Sequence, residues 1–196
     1  GMTLQKTLDM ATGFCQRHPD TPLILMGYFN PIYIYGQDAF IRAAKEAGVD
    51  GLIIVDLPPE EDGELCDAAR KAGLSFIRLV TPTSLGDRLP VVIEKAGGFV
   101  YYVAIAGITG TKSAKTDSIR SAFTRLREET DLPAVVGFGI RSAEQANEVA
   151  TIADGVVVGS ALVQKIEDAV GSDDNKKLIA DVGTFCASLS VAMQRK

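Results

Sequence analysis

A chain of 196 residues, 46% hydrophobic and 23% charged, can bury one sizeable core and is too apolar to be disordered. Its formal net charge of −5 provides no basic footprint for nucleic acid, and no apolar run approaches the ~20 residues that cross a bilayer. With one histidine (His18) and three widely spaced cysteines (Cys15, Cys66, Cys186), no metal site and no disulfide framework are expected. The thiols read as reduced core residues of a cytoplasmic protein.

Leu4, Leu8, Ala11 and Phe14 recur at helical spacing and predict a helix before any strand. Short apolar runs then predict strands at 23–28, 51–55, 75–80, 99–104, 134–137 and 155–158. Amphipathic stretches between them predict helices at 38–47, 59–72, 85–96, 118–130, 142–150 and 161–169. A last helix is predicted at 175–193 from Leu178, Val182, Phe185, Leu189 and Met193. Ser142 and Gln145 read as a capping box, and Gly48, Gly73 and Gly97 as C-terminal caps. A βα unit roughly every 20–35 residues is the rhythm of a (β/α)8 barrel or a doubly wound sheet. The barrel is preferred, because no Gly-x-Gly-x-x-Gly follows an early strand and the glycine motifs cluster on the last units. We therefore expect one α/β domain over residues 1–196, of the TIM-barrel class, with six of the eight strands in this chain and the opening units absent.

Three glycine motifs end three successive strands: Ala106-Gly107-Ile108-Thr109-Gly110, Gly137-Phe138-Gly139-Ile140 and Gly159-Ser160-Ala161. Glycine at a strand exit lets backbone N–H groups approach a ligand, and the helix that follows directs its unpaired N–H groups and positive dipole end toward an anion. Thr109, Gly110, Gly137, Gly139, Gly159 and Ser160 are thus candidate phosphate contacts, with Phe138 as an aromatic wall. Singly, each motif also reads as a plain turn or strand-end bulge. Tyr28 and Asn30 stand at a candidate pocket mouth, and of Tyr101 and Tyr102 only one can point inward, since they alternate faces. Asp56 follows Leu52-Ile53-Ile54-Val55 at a strand exit. It reads equally as an acid/base group, a substrate contact or loop anchor, or as part of helix-start chemistry with Pro58, Pro59, Glu60 and Glu61. No Ser/His/Asp or Cys/His set and no pair of strand-end carboxylates is visible.

In family order, Leu25-Met26-Gly27-Tyr28-Phe29-Asn30-Pro31, Val55-Asp56-Leu57-Pro58-Pro59-Glu60-Glu61 and the three glycine motifs resemble the tryptophan synthase alpha subunit. The resemblance implies a (β/α)8 barrel that cleaves indole-3-glycerol phosphate to indole and glyceraldehyde 3-phosphate. It implies an α2β2 complex in which pyridoxal phosphate belongs to the beta subunit, so no cofactor is expected on this chain. Carried across, Thr109, Gly110, Gly137, Gly139, Gly159 and Ser160 hold the substrate phosphate, and Tyr101 and Phe138 line the pocket. Tyr28, Ile53 and Val55 line the indole end, and Asp56 and Pro58 face the beta subunit. The segment after Gly107, with Lys112, Ser113, Lys115 and Thr116, is implied to close over substrate.

The family's general acid/base glutamate belongs to a Glu-Leu-Gly-x-Pro-Phe-Ser-Asp-Pro segment and its aspartate partner to an Ala-Asp-Gly-Pro loop. Neither segment occurs in this sequence, so no catalytic residue is assigned within it. Two alternatives stand beside a working lyase: an inactive phosphate-binding barrel fragment, and another phosphate-binding biosynthetic barrel. With strands missing, self-association, a swapped arrangement or disordered segments are expected.

Overall fold

The computed structural model describes residues 1–104, 112–137, 139–171 and 174–194, in which short parallel strands alternate with helices. The chain divides into two units, residues 1–79 with 87–100, and residues 80–86 with 101–196.

The first unit opens with α1 (Leu4–Arg17), β1 (Ile24–Gly27), α2 (Phe29–Tyr35), α3 (Gln37–Glu46) and β2 (Gly51–Ile54). It continues with α4 (Gly63–Lys71) and β3 (Ser75–Phe76). β4 (Arg78–Val80) and β5 (Val100–Val103) contain residues at which the units divide, and α5 (Leu89–Ile93) lies between them in sequence. β1, β2 and β3 form a parallel sheet in which Leu25 lies beside Leu52 and Met26 beside Ile53. Strand alternation sends Leu25, Leu52 and Ile54 to one face. There they pack with Leu8, Phe40, Ile41, Ala44, Leu65 and Ala69 of the flanking helices. Alanines at the helical contact points let α3 and α4 lie close to the sheet.

The second unit holds α6 (Lys112–Glu129), β6 (Ala134–Gly137), α7 (Ala143–Ala150), β7 (Gly155–Val157), α8 (Ser160–Asp168) and α9 (Asn175–Met193). The second sheet has the order β4-β5-β6-β7, and β6 and β7 pair in parallel. Tyr102 packs edge-to-face on Phe123 of α6, with ring centroids 5.9 Å apart. Ile140, Ala146 and Leu189 form a smaller core where α7 meets α9, and Asn147 Nδ2 donates to the Ala192 carbonyl at 2.7 Å.

An aspartate–glycine pair opens a strand in each unit and makes the same clamp. Asp50 N–H donates to the Leu23 carbonyl at 2.9 Å while its Oδ2 accepts from the Leu23 N–H at 2.8 Å. Asp154 does the same with Ala134, at 2.9 Å and 2.8 Å. The following glycine is also constrained. A Cβ on Gly51 would strike Ile77 and the Ser75 carbonyl, and one on Gly155 would press on Val135.

Several elements differ from the sequence expectation. The 75–80 run breaks at Ile77: residues 75–76 pair with β2, whereas β4 belongs to the second sheet. The break places Arg78 where its guanidinium pairs with the buried Asp62 carboxylate. The helix expected over 59–72 begins only at Gly63. Residues 58–61 form a turn closed by Glu61 N–H to the Pro58 carbonyl (3.0 Å), so Glu60 and Glu61 do not start the helix. The helix expected over 85–96 shrinks to α5, preceded by a 3-10 turn at Pro82–Ser84 that Thr81 and Ser84 cap reciprocally. α6 starts at Lys112, so residues 112–116 are helical and not loop. Of the three free thiols only Cys66 is buried; Cys15 is half-buried and Cys186 exposed, which corrects their reading as core thiols. Among the described residues no group of three His, Cys, Asp or Glu side chains is placed to hold a metal, and no helix is long and apolar enough to cross a membrane.

Candidate functional site

The described residues singled out by sequence fall into two groups at strand ends, one in each unit. In the first, the register that aligns Met26 with Ile53 fixes which side chains share a face. Alternation puts Ile53 and Val55 opposite to the core-facing Leu52 and Ile54, with Met26 of β1 on their side. Ile53 is buried, Val55 half-open at 40% exposure, and Met26 and Tyr28 are exposed. Met26 was missed by sequence reasoning. The available signal was its position two residues before Tyr28, since every second strand residue shares a face.

Tyr28 follows β1 in extended backbone and is the N-cap of α2, a helix not expected from sequence. Its side chain makes no capping hydrogen bond. The start of α2 is instead held from β2: the Phe29 N–H donates to Asp56 Oδ1 at 2.7 Å, and Val55 N–H donates to the Gly27 carbonyl at 3.0 Å. Of the readings left open for Asp56, the loop anchor is the one this geometry displays. Pro58 is exposed in the turn that follows. Glu60 pairs with Arg88 at 2.8 Å. Its own backbone N–H, followed by the Arg88 guanidinium, holds the Glu60 carboxyl below the usual carboxylate range.

In the second constellation Tyr101, on β5, is half-buried while its neighbour Tyr102 is buried in the core. Burial pushes both phenols up from their ordinary value. Gly137 closes β6, and its carbonyl accepts from the Ala104 N–H at 3.2 Å. A Cβ built on Gly137 would fall on the Tyr101 ring and hydroxyl, so the missing side chain makes room for Tyr101. Gly139 is different: open space surrounds it, but its φ of +78° is a left-handed conformation that suits glycine. Gly159, at the exit of β7, is the N-cap of α8 and supplies no side chain; Ser160 is the first helical residue, and both are exposed. A nine-residue helix beginning there has N–H groups without intrahelical acceptors and a positive dipole end. Thr109, Gly110 and Phe138 lie outside the described residues.

The chemistry available in the second unit is therefore suited to an anion: backbone N–H groups at the start of α8, from Ser160 onward, follow the exit of β7. In the first unit it is apolar: Met26, Ile53 and Val55, with Tyr28 at the strand end.

A family model described as tryptophan synthase alpha chain matches residues 1–194. The structure is similar to tryptophan synthase subunit alpha from Legionella pneumophila str. Paris, at 36% identity and a TM-score of 0.86, covering 97% of this chain and 69% of that one. It is similar to a chain of tryptophan synthase from M. tuberculosis at 30% identity and a TM-score of 0.84, covering 100% and 70%. It is also similar to a chain of the tryptophan synthase a2b2 complex from Pyrococcus furiosus, at 32% identity and a TM-score of 0.82, covering 97% and 74%.

Proposed function

This chain belongs to the tryptophan synthase alpha chain family, lyases of tryptophan biosynthesis with the (β/α)8 fold, and from that premise we propose that it binds indole-3-glycerol phosphate for aldol cleavage to indole and glyceraldehyde 3-phosphate. Six residues serve as the phosphate site in this reading: Thr109, Gly110, Gly137, Gly139, Gly159 and Ser160. Tyr28, Ile53 and Val55 in the first unit, and Tyr101 and Phe138 in the second, are the proposed substrate-pocket residues. The observation that carries it is α8, which starts on Ser160 directly after the side-chain-free cap Gly159. Such an end favours a dianionic phosphate ester over a neutral ligand. Residues 1–196 act as one domain in this reading, in the cytoplasm. The alpha family itself carries no cofactor; the pyridoxal phosphate of the complex sits on the beta subunit.

We further infer that these 196 residues by themselves bind substrate without cleaving it. The family's glutamate and aspartate segments have no counterpart among them. A beta subunit is the proposed partner, met through Asp56 and Pro58. Self-association is proposed through β1, which ends its sheet.

Calorimetric titration with indole-3-glycerol phosphate tests the site. Binding is expected, with Ser160→Ala weakening it roughly ten- to a hundredfold, the size of one hydrogen bond to a charged group. Equal affinity in both proteins would remove Ser160 from the phosphate site. An indole-release assay on the same protein tests the second inference, and turnover at the rate of an intact alpha subunit would overturn it.

A further inference from the structure

α2 begins in an unusual way for so short a helix. Its N-cap is Tyr28, a residue with no short side-chain acceptor, and none of its own side chains caps it. Helix starts leave the first backbone N–H groups without partners, and Ser, Thr, Asp or Asn normally supplies the acceptor at the cap itself. Here Pro31 removes one of those donors because it carries no N–H. The Phe29 N–H is met by Asp56 Oδ1 at 2.7 Å, from the end of the neighbouring strand and 27 residues on in sequence. A carboxylate accepting at that distance makes a charge-assisted bond at the positive end of the helix. The bonded amide is the one immediately after Tyr28. Tyr28 therefore sits between two fixed points: the Gly27 carbonyl, bound by Val55 N–H, and the Phe29 amide, bound by Asp56.

We propose that Asp56 is the positioning residue for Tyr28. Its carboxylate, supplied from the β2 exit, fixes the backbone on the C-terminal side of Tyr28 and so sets where the ring stands at the apolar end of the pocket. The pocket role of Tyr28 rests on the function proposed above; its placement by Asp56 does not. Asp56 consequently links the proposed partner-facing turn to the proposed indole end through one hydrogen bond. A change at the 56–58 turn is felt at Tyr28 without any change in the strands.

The chain contains no tryptophan, so Tyr28→Trp introduces a single indole fluorophore at the position in question. In that background Asp56→Ala and Asp56→Asn are compared by acrylamide quenching of Trp emission, by far-UV circular dichroism and by calorimetric binding of free indole. Asn keeps an acceptor oxygen but loses the charge; Ala loses both. The expected result is a quenching constant raised about twofold by Ala and largely preserved by Asn, with circular dichroism unchanged and indole affinity lowered roughly fivefold by Ala. Unchanged quenching in the Ala protein would overturn the proposal. So would Asn raising the quenching constant about twofold over its Tyr28→Trp parent, a comparison that decides even if the Ala protein does not fold. A quenching change with no indole binding in any variant would leave Asp56 as the positioning residue and instead overturn the pocket role of Tyr28.

Discussion

Tyr101 lies across Gly137, so that the space a side chain on Gly137 would need is already filled by the phenol ring. A β-carbon there is incompatible with the ring and hydroxyl positions, and one partner has to move. Gly137→Ala is therefore expected to destabilise the fold by about 1–3 kcal/mol and to displace the Tyr101 ring. Removing the ring first, in Tyr101→Ala, should make the same glycine substitution far less costly. Urea unfolding of both single variants and the double variant reads this as a coupling energy of about 0.5–3 kcal/mol. Additive losses would show that the two residues do not share the space.

The Asp62–Arg78 pair gives a second prediction. Both side chains are buried, and among the described residues no further hydrogen bond reaches the Asp62 carboxylate. Arg78 also donates to Cys66 Sγ at 3.6 Å and stands over the Phe76 ring at 4.7 Å. Breaking such a pair leaves a buried charge alone, so Arg78→Met should cost about 3–5 kcal/mol. Replacing both residues, Asp62→Leu with Arg78→Met, should recover most of that loss, because the pair itself bears a desolvation cost. A double variant as unstable as the single one would mean that Arg78 acts through packing alone.

Stability should fall at both ends of the pH scale, for different groups. Tyr101 and Tyr102 have folded pKa values raised by burial, so their contribution is complete below the ordinary phenol value near ~10 and is lost as pH rises through the folded values. Lys95, raised by its hydrogen bond to Asp67, acts in the same direction. Asp67, lowered by that hydrogen bond, and Glu60, lowered by its own backbone and by Arg88, contribute above about pH 4 and lose their contribution as pH falls through the folded values. Urea midpoints from pH 3 to 11 should form a plateau with two falling sides. Tyr102→Phe should flatten the alkaline side specifically; an unaltered alkaline loss would assign it to other groups.

The edge of β1 should govern association. β1 ends the first sheet, and its sequence Ile24-Leu25-Met26-Gly27 has none of the lysines, prolines or bulges that usually guard a sheet edge. Beside it an apolar cavity of about 460 Å³ is lined in part by Met2, Leu25, Met26, Tyr28 and Ile32. Sedimentation velocity across a concentration series should detect self-association, and Met26→Lys should suppress it without lowering the thermal midpoint. A wild-type chain that stays monomeric at high micromolar concentration would count against the edge as a contact.

The alternation of buried strands and amphipathic helices was readable because each strand run is apolar over four or more residues and each helix repeats at its own period. Gly137 and Gly159 were readable as element boundaries for a related reason: a residue type that is rare inside elements marks their ends, here the close of β6 and the cap of α8. α2 was not, because its cap is supplied by Asp56, which no local pattern connects to Tyr28. The start of α4 was misread for the opposite reason. Pro58, Pro59, Glu60 and Glu61 have the composition of a helix entry, yet Asp62 is drawn into the pair with Arg78 and the helix waits until Gly63. The reason for glycine at 137 was equally hidden, since what excludes a side chain there is a tyrosine from another strand.

Parallel strands lack a hairpin to set their alignment, and here Asp50-Gly51 and Asp154-Gly155 perform that task in the two units with the same bonds. Each clamp, with the strand before it and the helical segment between, lies within one continuous stretch: residues 23–54 and 134–157 each contain both partners of the bonds that set register. Such a segment is transposable. Exchanged between the two places, it would bring its alignment with it, which makes these stretches natural units for building chimeras and explains how a fold of this kind can be assembled by repetition.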